Sequence, residues 1–302
     1  MINKLLPILA ITLLSLAIGT TSCKKNKASK DFEIPDEIIN AELEVAQEVV
    51  DDMISNLGSP VEMAALIKSM NVPFSKKYIS SLDYTDNYNT SFKKALTLGL
   101  FGCDLGYLNM YEKTTTSLNY ITTIKRLADD IKVGQFFDFE TLKRLATNNE
   151  NIDSLIFIST YSFSKIDNYL RETNRASLSF VMVSGVWLEG LYLAAQVAKE
   201  TNDKKIIEKI GEQYLLLDKL ILILSNYQKD PNIKALINDL KIIDAAYDGV
   251  SMTIIPGEPT TVEVDGILMF EQNEQSIVNI SDEQLQKIIA AAESIRNKII
   301  EN

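Results

Sequence analysis

Two apolar stretches of the chain each carry an acid with a tyrosine three residues later. In the first stretch Asp104 precedes Tyr107, and in the second Glu189 precedes Tyr192, with Trp187 two residues before the acid. A spacing of three residues places both side chains on one face of a helix. Because a buried acid is costly without partners, these five residues are the candidates for a binding site.

Three interpretations of these five residues are open. In the interpretation that we expect, tyrosine hydroxyls or a basic side chain of a neighbouring helix pair with the acids, which are then structural groups of the core. The acids and aromatic rings could instead face a small-molecule ligand between the two helices. Two carboxylates about 5–10 Å apart could also perform acid–base chemistry, as in glycoside hydrolysis. Trp187 is the only tryptophan in the chain, which is little for a sugar site.

The chain contains no histidine. This excludes Ser-His-Asp triads, Cys-His pairs, His-ligated zinc or haem, and di-iron sites built from Glu-x-x-His pairs. There is also no phosphate loop or dinucleotide fingerprint, and no acidic run has the spacing of a calcium loop. Cys103 lies in an apolar helix and is predicted to be an inert core residue. We therefore predict no catalytic residue, no metal and no cofactor, and a function that is not enzymatic.

The overall charge is acidic, with a net charge of −11 at neutral pH. Nucleic-acid binding depends on neutralising phosphates with basic side chains. The charge therefore argues against a nucleic-acid partner, and solubility is its simplest explanation.

The elements that must position the two acids are helices. Apolar residues recur every three or four positions, and glycine, proline and capping residues punctuate them. We predict helices over residues 35–57, 60–70, 91–111, 115–132, 139–149, 152–171, 177–200, 204–227 and 231–248. Because the connections are short, consecutive helices should pack antiparallel. The predicted fold class is an all-α, multi-helix antiparallel bundle over residues 35–250.

A weak internal repeat accompanies the two acids, which lie 85 residues apart. Units of about 90–172 and 175–250 would each begin with an apolar helix that carries one acid. Glycine inside a helix costs up to about 1 kcal/mol relative to alanine, so the helical glycines should mark close approach of another backbone or a ligand. These glycines are Gly99, Gly102, Gly106, Gly185 and Gly190.

The pattern changes in residues 251–302. Short β-like segments surround Asp265-Gly266, a typical two-residue hairpin turn. A capping box then begins at Ser281 and opens a final helix. An isolated hairpin is marginally stable, so we expect the hairpin and the last helix to pack on the bundle. The alternative is a mobile arm that reaches a partner.

The N-terminus predicts an exported protein. Lys4 precedes an apolar stretch at residues 5–18, and small residues lead to Cys23, which is the layout of a signal peptide over residues 1–22. The segment resembles the lipobox of bacterial lipoproteins, which implies lipidation of Cys23. In such proteins Lys24 in the next position implies the outer membrane. The alternatives are an ordinary signal peptide or an uncleaved anchor, with an incidental cysteine.

Residues 23–34 form a Lys-rich segment that is predicted to be a solvated tether near anionic headgroups. If Cys23 is lipidated, Cys103 is the one free cysteine, and no intramolecular disulfide is expected. The whole layout resembles helical lipoproteins frequent in Gram-negative bacteria of the Bacteroidota type, a resemblance that implies no particular activity.

These observations together predict a membrane-anchored envelope lipoprotein that is a non-enzymatic helical binding or scaffold protein. Its expected partners are the membrane, through the lipid, and other envelope proteins, on the periplasmic or the outer side. The alternatives are a small-molecule carrier with a site between the two acid-bearing helices and, less favoured, a carboxylate-dependent enzyme.

Overall fold

The structure is a computed structural model, and it describes residues 66–148, 152–255, 257, 260–264, 267–271 and 275–301. All of these residues belong to one compact unit. The predicted signal peptide, Cys23, the tether and the helices predicted before residue 66 lie outside the described residues. The predicted turn residues Asp265 and Gly266 also lie outside them.

The fold is all-α with a short β element near the C-terminus, as predicted. The chain is helical at residues 66–69 and then has no long helix until Ser91. The long helices are α1 (Ser91–Met110), α2 (Thr114–Asp130), α3 (Phe139–Asn148), α4 (Ile152–Glu172), α5 (Ser177–Thr201), α6 (Lys204–Glu212), α7 (Tyr214–Ser225), α8 (Pro231–Ala246) and α9 (Asp282–Glu301).

Helices α1 and α5 form the centre of the fold, and glycines bring them into backbone contact. A Cβ atom on Gly99 would lie 2.0 Å from the carbonyl oxygen of Met182, and one on Gly185 would lie 2.1 Å from that of Leu96. Contacts advance along both helices in the same direction, so the two helices run parallel. The predicted close approach is thus confirmed at Gly99 and Gly185. At Gly102 no backbone approaches closely, because no atom of the described residues lies within 4 Å of a Cβ atom placed there.

The other helices surround this pair. Helix α2 packs on α1, while α4, α6, α7 and α9 pack on α5, and α8 packs between α7 and α9. Helix α5 is long and apolar enough to cross a membrane, with a mean hydropathy of 1.6 in its most apolar window, but 83% of that window is buried in the bundle. Its apolar character is therefore explained by its central position.

The helix predicted over residues 204–227 is wrong in one respect, because it is broken at Gln213 into α6 and α7. The Gln213 amide bonds to the carbonyl of Ile210, which tightens the end of α6. Gly211 lets a strand pack closely on α6, since a Cβ atom there would lie 2.3 Å from Cγ1 of Val278. The break thus lies two residues after a position where a strand packs closely on the helix.

The β element consists of two antiparallel pairs. Strand β1 (Ser251–Ile255) pairs with β4 (Gln275–Asn279), and β2 (Thr260–Val264) pairs with β3 (Ile267–Glu271). The pairing of Val264 with Ile267 leaves two residues between β2 and β3, as a two-residue hairpin requires. Strand β4 contacts α6, so the β1–β4 pair lies against the bundle.

Residues 71–90 cross the bundle before α1 begins, and we call this segment the strap. It contains two short 3-10 turns, Lys76–Tyr78 and Leu82–Asn87, and is otherwise irregular. Its buried residues alternate with exposed ones: Tyr78 and Ser80 are buried, whereas Lys77 and Ser81 are exposed. Connections of this length without regular structure are uncommon, and they are often functional.

Candidate functional site

The acid on α5 is held by an arginine from the last helix. Nε of Arg296 donates to Oε2 of Glu189 at 3.0 Å, and Nη2 donates to Oε1 at 2.8 Å. Glu189 is fully buried and Arg296 is 6% exposed. This bidentate geometry is the strong form of the ion pair, and it joins α5 to α9 in the core.

The acid on α1 is held by the strap and by α2. Oδ2 of Asp104 accepts the Ser80 amide at 2.9 Å and lies 3.4 Å from the Tyr120 hydroxyl, which also donates to the carbonyl of Ser80. Nη2 of Arg296 donates to Oγ of Ser80 at 2.9 Å. Ser80 therefore links Asp104 to the Glu189–Arg296 pair, and we call these five residues the buried cluster.

The charges in the buried cluster balance only if one acid is neutral, because two carboxyls face a single guanidinium. Burial raises the pKa of Asp104 well above its ordinary value, and the nearby Glu189 raises it further, against the opposing effects of Arg296 and the Ser80 amide. Oδ1 of Asp104 has no hydrogen-bond partner among the described residues. We therefore assign the cluster as a neutral Asp104 beside an ionised Glu189–Arg296 pair.

This assignment makes stability depend on pH through Asp104. Its pKa is about 3.9 in an unfolded chain and higher in the folded state. Above about pH 4 the unfolded state therefore holds fewer protons, so the free energy of unfolding falls as pH rises, by at most about 1.4 kcal/mol per pH unit. Asp104→Asn keeps the acceptor for the Ser80 amide and removes this dependence.

We expect the stability of the Asp104→Asn variant relative to the wild type to increase from pH 5 to pH 8. Urea unfolding at each pH measures the difference, in which the contributions of all other groups cancel. A difference that is constant across this range would show that Asp104 is ionised in the folded protein.

The three aromatic candidates from the sequence do not all lie in the buried cluster. Tyr192 belongs with the buried cluster, since Cζ of Arg296 lies 4.2 Å from the centre of its ring. Tyr107 lies apart from it: its hydroxyl accepts the Ser75 amide at 3.0 Å, and its ring packs on Phe74 and Tyr111. Trp187 is buried, and its Nε1 has no partner among the described residues. The structure thus brings Asp104, Glu189 and Tyr192 together, but not Tyr107.

The buried cluster is closed to solvent. Both acids have no exposed surface. Two surface clefts lie elsewhere, one of about 490 Å³ beside Asp218 and Asp244, and one of about 440 Å³ beside Lys125 and Lys132. An enzyme that used the acids would need them open to a substrate, and this arrangement does not supply such an opening.

Neither a metal centre nor a reactive thiol is visible in the described part of the chain. No group of three or more His, Cys, Asp or Glu side chains there could hold a metal ion. Cys103 is completely buried as a free cysteine. Burial raises the pKa of its thiol, so it stays protonated and unreactive.

Three residues of the buried cluster were missed from the sequence: Ser80, Tyr120 and Arg296. Arg296 had a detectable signal, because it stands one turn after Ala292 on the apolar side of α9, where an aliphatic residue is expected. Ser80 and Tyr120 had none, since they reach the cluster only through tertiary packing.

No protein-family model, curated protein or solved structure matches the chain.

Proposed function

We propose that the protein is a lipid-anchored component of a bacterial cell envelope that works by binding, as a non-enzymatic helical scaffold. The supporting observation is the closure of the buried cluster. Glu189 is paired with Arg296, Oδ2 of Asp104 accepts the Ser80 amide, and neither acid reaches solvent. Residues placed in this way stabilise a fold, so the interacting part of the molecule is its surface.

A small-molecule site between α1 and α5 is the alternative. It is favoured by two buried polar atoms that lack partners among the described residues, Oδ1 of Asp104 and Nε1 of Trp187. Against it, the backbones of the two helices touch at Gly99 and Gly185. Native mass spectrometry of protein purified from its own envelope would reveal a retained ligand, and such a ligand would favour this alternative.

The proposed location in the cell envelope depends on lipidation of Cys23. The Lys-rich tether would join the lipid to the folded domain. Mass spectrometry of the mature N-terminus should find acyl chains on Cys23. The Cys23→Ser variant should leave the membrane fraction, because two or more acyl chains supply most of the membrane affinity. A wild-type N-terminus without lipid, or a variant that stays in the outer membrane, would contradict the anchor.

The binding function is tested by capture from intact envelopes. Cells that express the wild-type protein are cross-linked, the envelopes are dissolved in detergent, and proteins bound to the chain are identified. We expect a specific envelope protein that is lost with Cys23→Ser, since the variant is no longer concentrated at the same membrane. Capture of the same proteins by an unrelated lipoprotein with a similar anchor would contradict a specific scaffold.

A further inference from the structure

We propose that strand β1 pairs, along its free edge, with β1 of a second copy of this chain, so that the two copies share one antiparallel four-stranded sheet. The proposal adds a second copy of the chain to the expected partners, and it does not depend on the lipid anchor. In the β1–β4 pair, β4 packs against α6, whereas no helix of the described chain contacts β1 to a comparable extent.

The first argument is that the outer edge of β1 has no partner in the described part of the chain. The sheet that contains β1 has two strands, and β4 occupies one edge of β1. No backbone hydrogen bond joins β1 to a described segment other than β4. Thr253 and Ile277 are opposite each other and exposed, so this face of the pair is in contact with solvent. The other edge of β1 therefore presents a row of unpaired N–H and C=O groups.

The second argument is that this edge lacks the features by which proteins prevent strand pairing. Edge strands are commonly protected by charged side chains, by proline or by a covering helix or loop. Strands β1 and β4 contain no charged residue and no proline, although 24% of the chain is charged. Two of their apolar side chains are also in solvent, with Ile255 44% and Ile277 48% exposed. Pro256, which has no N–H donor, follows β1 and limits the unprotected edge to Ser251–Ile255.

The third argument is that β1 is complementary to itself. Two copies related by a two-fold axis pair antiparallel, and all five residues pair only in the register centred on Thr253. Thr253 then lies opposite its own copy, and Ser251 lies opposite Ile255. This register opposes no like charges, and threonine pairs across antiparallel strands are favourable. The dimer uses the free edge of both β1 strands, so pairing through β1 stops at two copies.

Disulfide trapping in native envelopes tests this proposal on the full chain. In the proposed dimer the Cβ atoms of Thr253 and its copy lie about 4.5–5.5 Å apart, within reach of a disulfide after a small adjustment. Thr253→Cys should therefore form a disulfide-linked dimer when a mild oxidant is added, and non-reducing gel electrophoresis measures its fraction. The wild type gives the background of the native cysteines, of which Cys103 is completely buried.

Ile277→Cys is the matched control, because Ile277 is opposite Thr253 on the same exposed face. In the dimer, Ile277 and its copy lie on the two outer strands, about 14 Å apart at about 4.8 Å per strand. We expect at least about 10-fold more linked dimer from Thr253→Cys than from Ile277→Cys. Trapping at Ile277→Cys that equals that at Thr253→Cys would indicate random collision and overturn the proposal. No trapping above the wild-type background at Thr253→Cys would overturn it as well.

A charge exchange at Thr253 gives a second test, with the purified full chain in detergent and sedimentation velocity as the measurement. Thr253→Lys and Thr253→Glu each oppose like charges in the dimer, so each should raise its dissociation constant on the order of 10-fold. An equimolar mixture of the two variants should recover wild-type association, because opposite charges then face each other. A wild type that stays monomeric up to about 100 µM, or a mixture that does not recover, would contradict self-pairing. Neither test needs an envelope partner, so these results are separate from those of the capture experiment.

Discussion

Arg296→Met is expected to lower the free energy of unfolding by about 3–5 kcal/mol, because it leaves the buried carboxylate of Glu189 without its cation. Glu189→Met should cost a similar amount by leaving the guanidinium unpaired. The double variant should recover much of the loss, since a buried ion pair replaced by apolar side chains of similar volume is often nearly neutral. Urea unfolding of the two single variants and the double variant gives the coupling energy between the two sites.

A matched control exists on the same two helices. Lys199 on α5 and Glu293 on α9 form an ion pair at 2.9 Å with side chains 42% and 36% exposed. Lys199→Met should cost less than about 1 kcal/mol, because exposed pairs are solvated and screened. Similar losses for Arg296→Met and Lys199→Met would contradict the structural role assigned to the buried cluster.

Gly99→Val is expected to destabilise the protein by about 3 kcal/mol or more, or to prevent folding. The new Cβ atom would lie 2.0 Å from the Met182 carbonyl oxygen and 2.7 Å from the Val186 nitrogen. Both are backbone atoms, so a change of rotamer cannot relieve the clash, and α1 and α5 would have to separate. Thermal unfolding, or the yield of folded protein where no transition is seen, measures the effect.

Gly102→Ala, on the same helix, should act in the opposite direction. A Cβ atom there meets no atom of the described part of the chain within 4 Å. Replacing glycine by alanine inside a helix should therefore stabilise the protein by about 0.5–1 kcal/mol. A loss at Gly102 as large as that at Gly99 would mean that position 102 is also closely packed, and it would contradict the open space described there.

Most of the helical part could be predicted from the sequence, because its signals are local. The cap residue Asp230 with Pro231 at the first helical position predicts the start of α8, and the side chain of Asp230 accepts the Asn232 amide at 2.7 Å. The register of β2 and β3 follows from a two-residue turn. The break at Gln213 was not predicted, because the apolar periodicity continues through it from α6 into α7.

The candidate site could be predicted only in part, for a similar reason. Asp104 and Glu189 are conspicuous because they interrupt apolar helices, and this signal is local. The partners that neutralise or bind them come from the strap, from α2 and from α9, which no spacing rule connects. Tyr107 lies three residues after Asp104 on α1, but its ring stacks on Phe74 outside the buried cluster. The i,i+3 spacing alone therefore did not identify the residues of the cluster.

Arg296 follows Glu189 by 107 residues, so the cation that the buried acid needs comes from a segment synthesised much later than α5. Until α9 has been synthesised, burying Glu189 would leave its carboxyl without this guanidinium, which is unfavourable. The hydroxyl of Tyr88 likewise donates to the carbonyl of Ile300, 212 residues later. We therefore expect the core around Glu189 to close only after α9 is present.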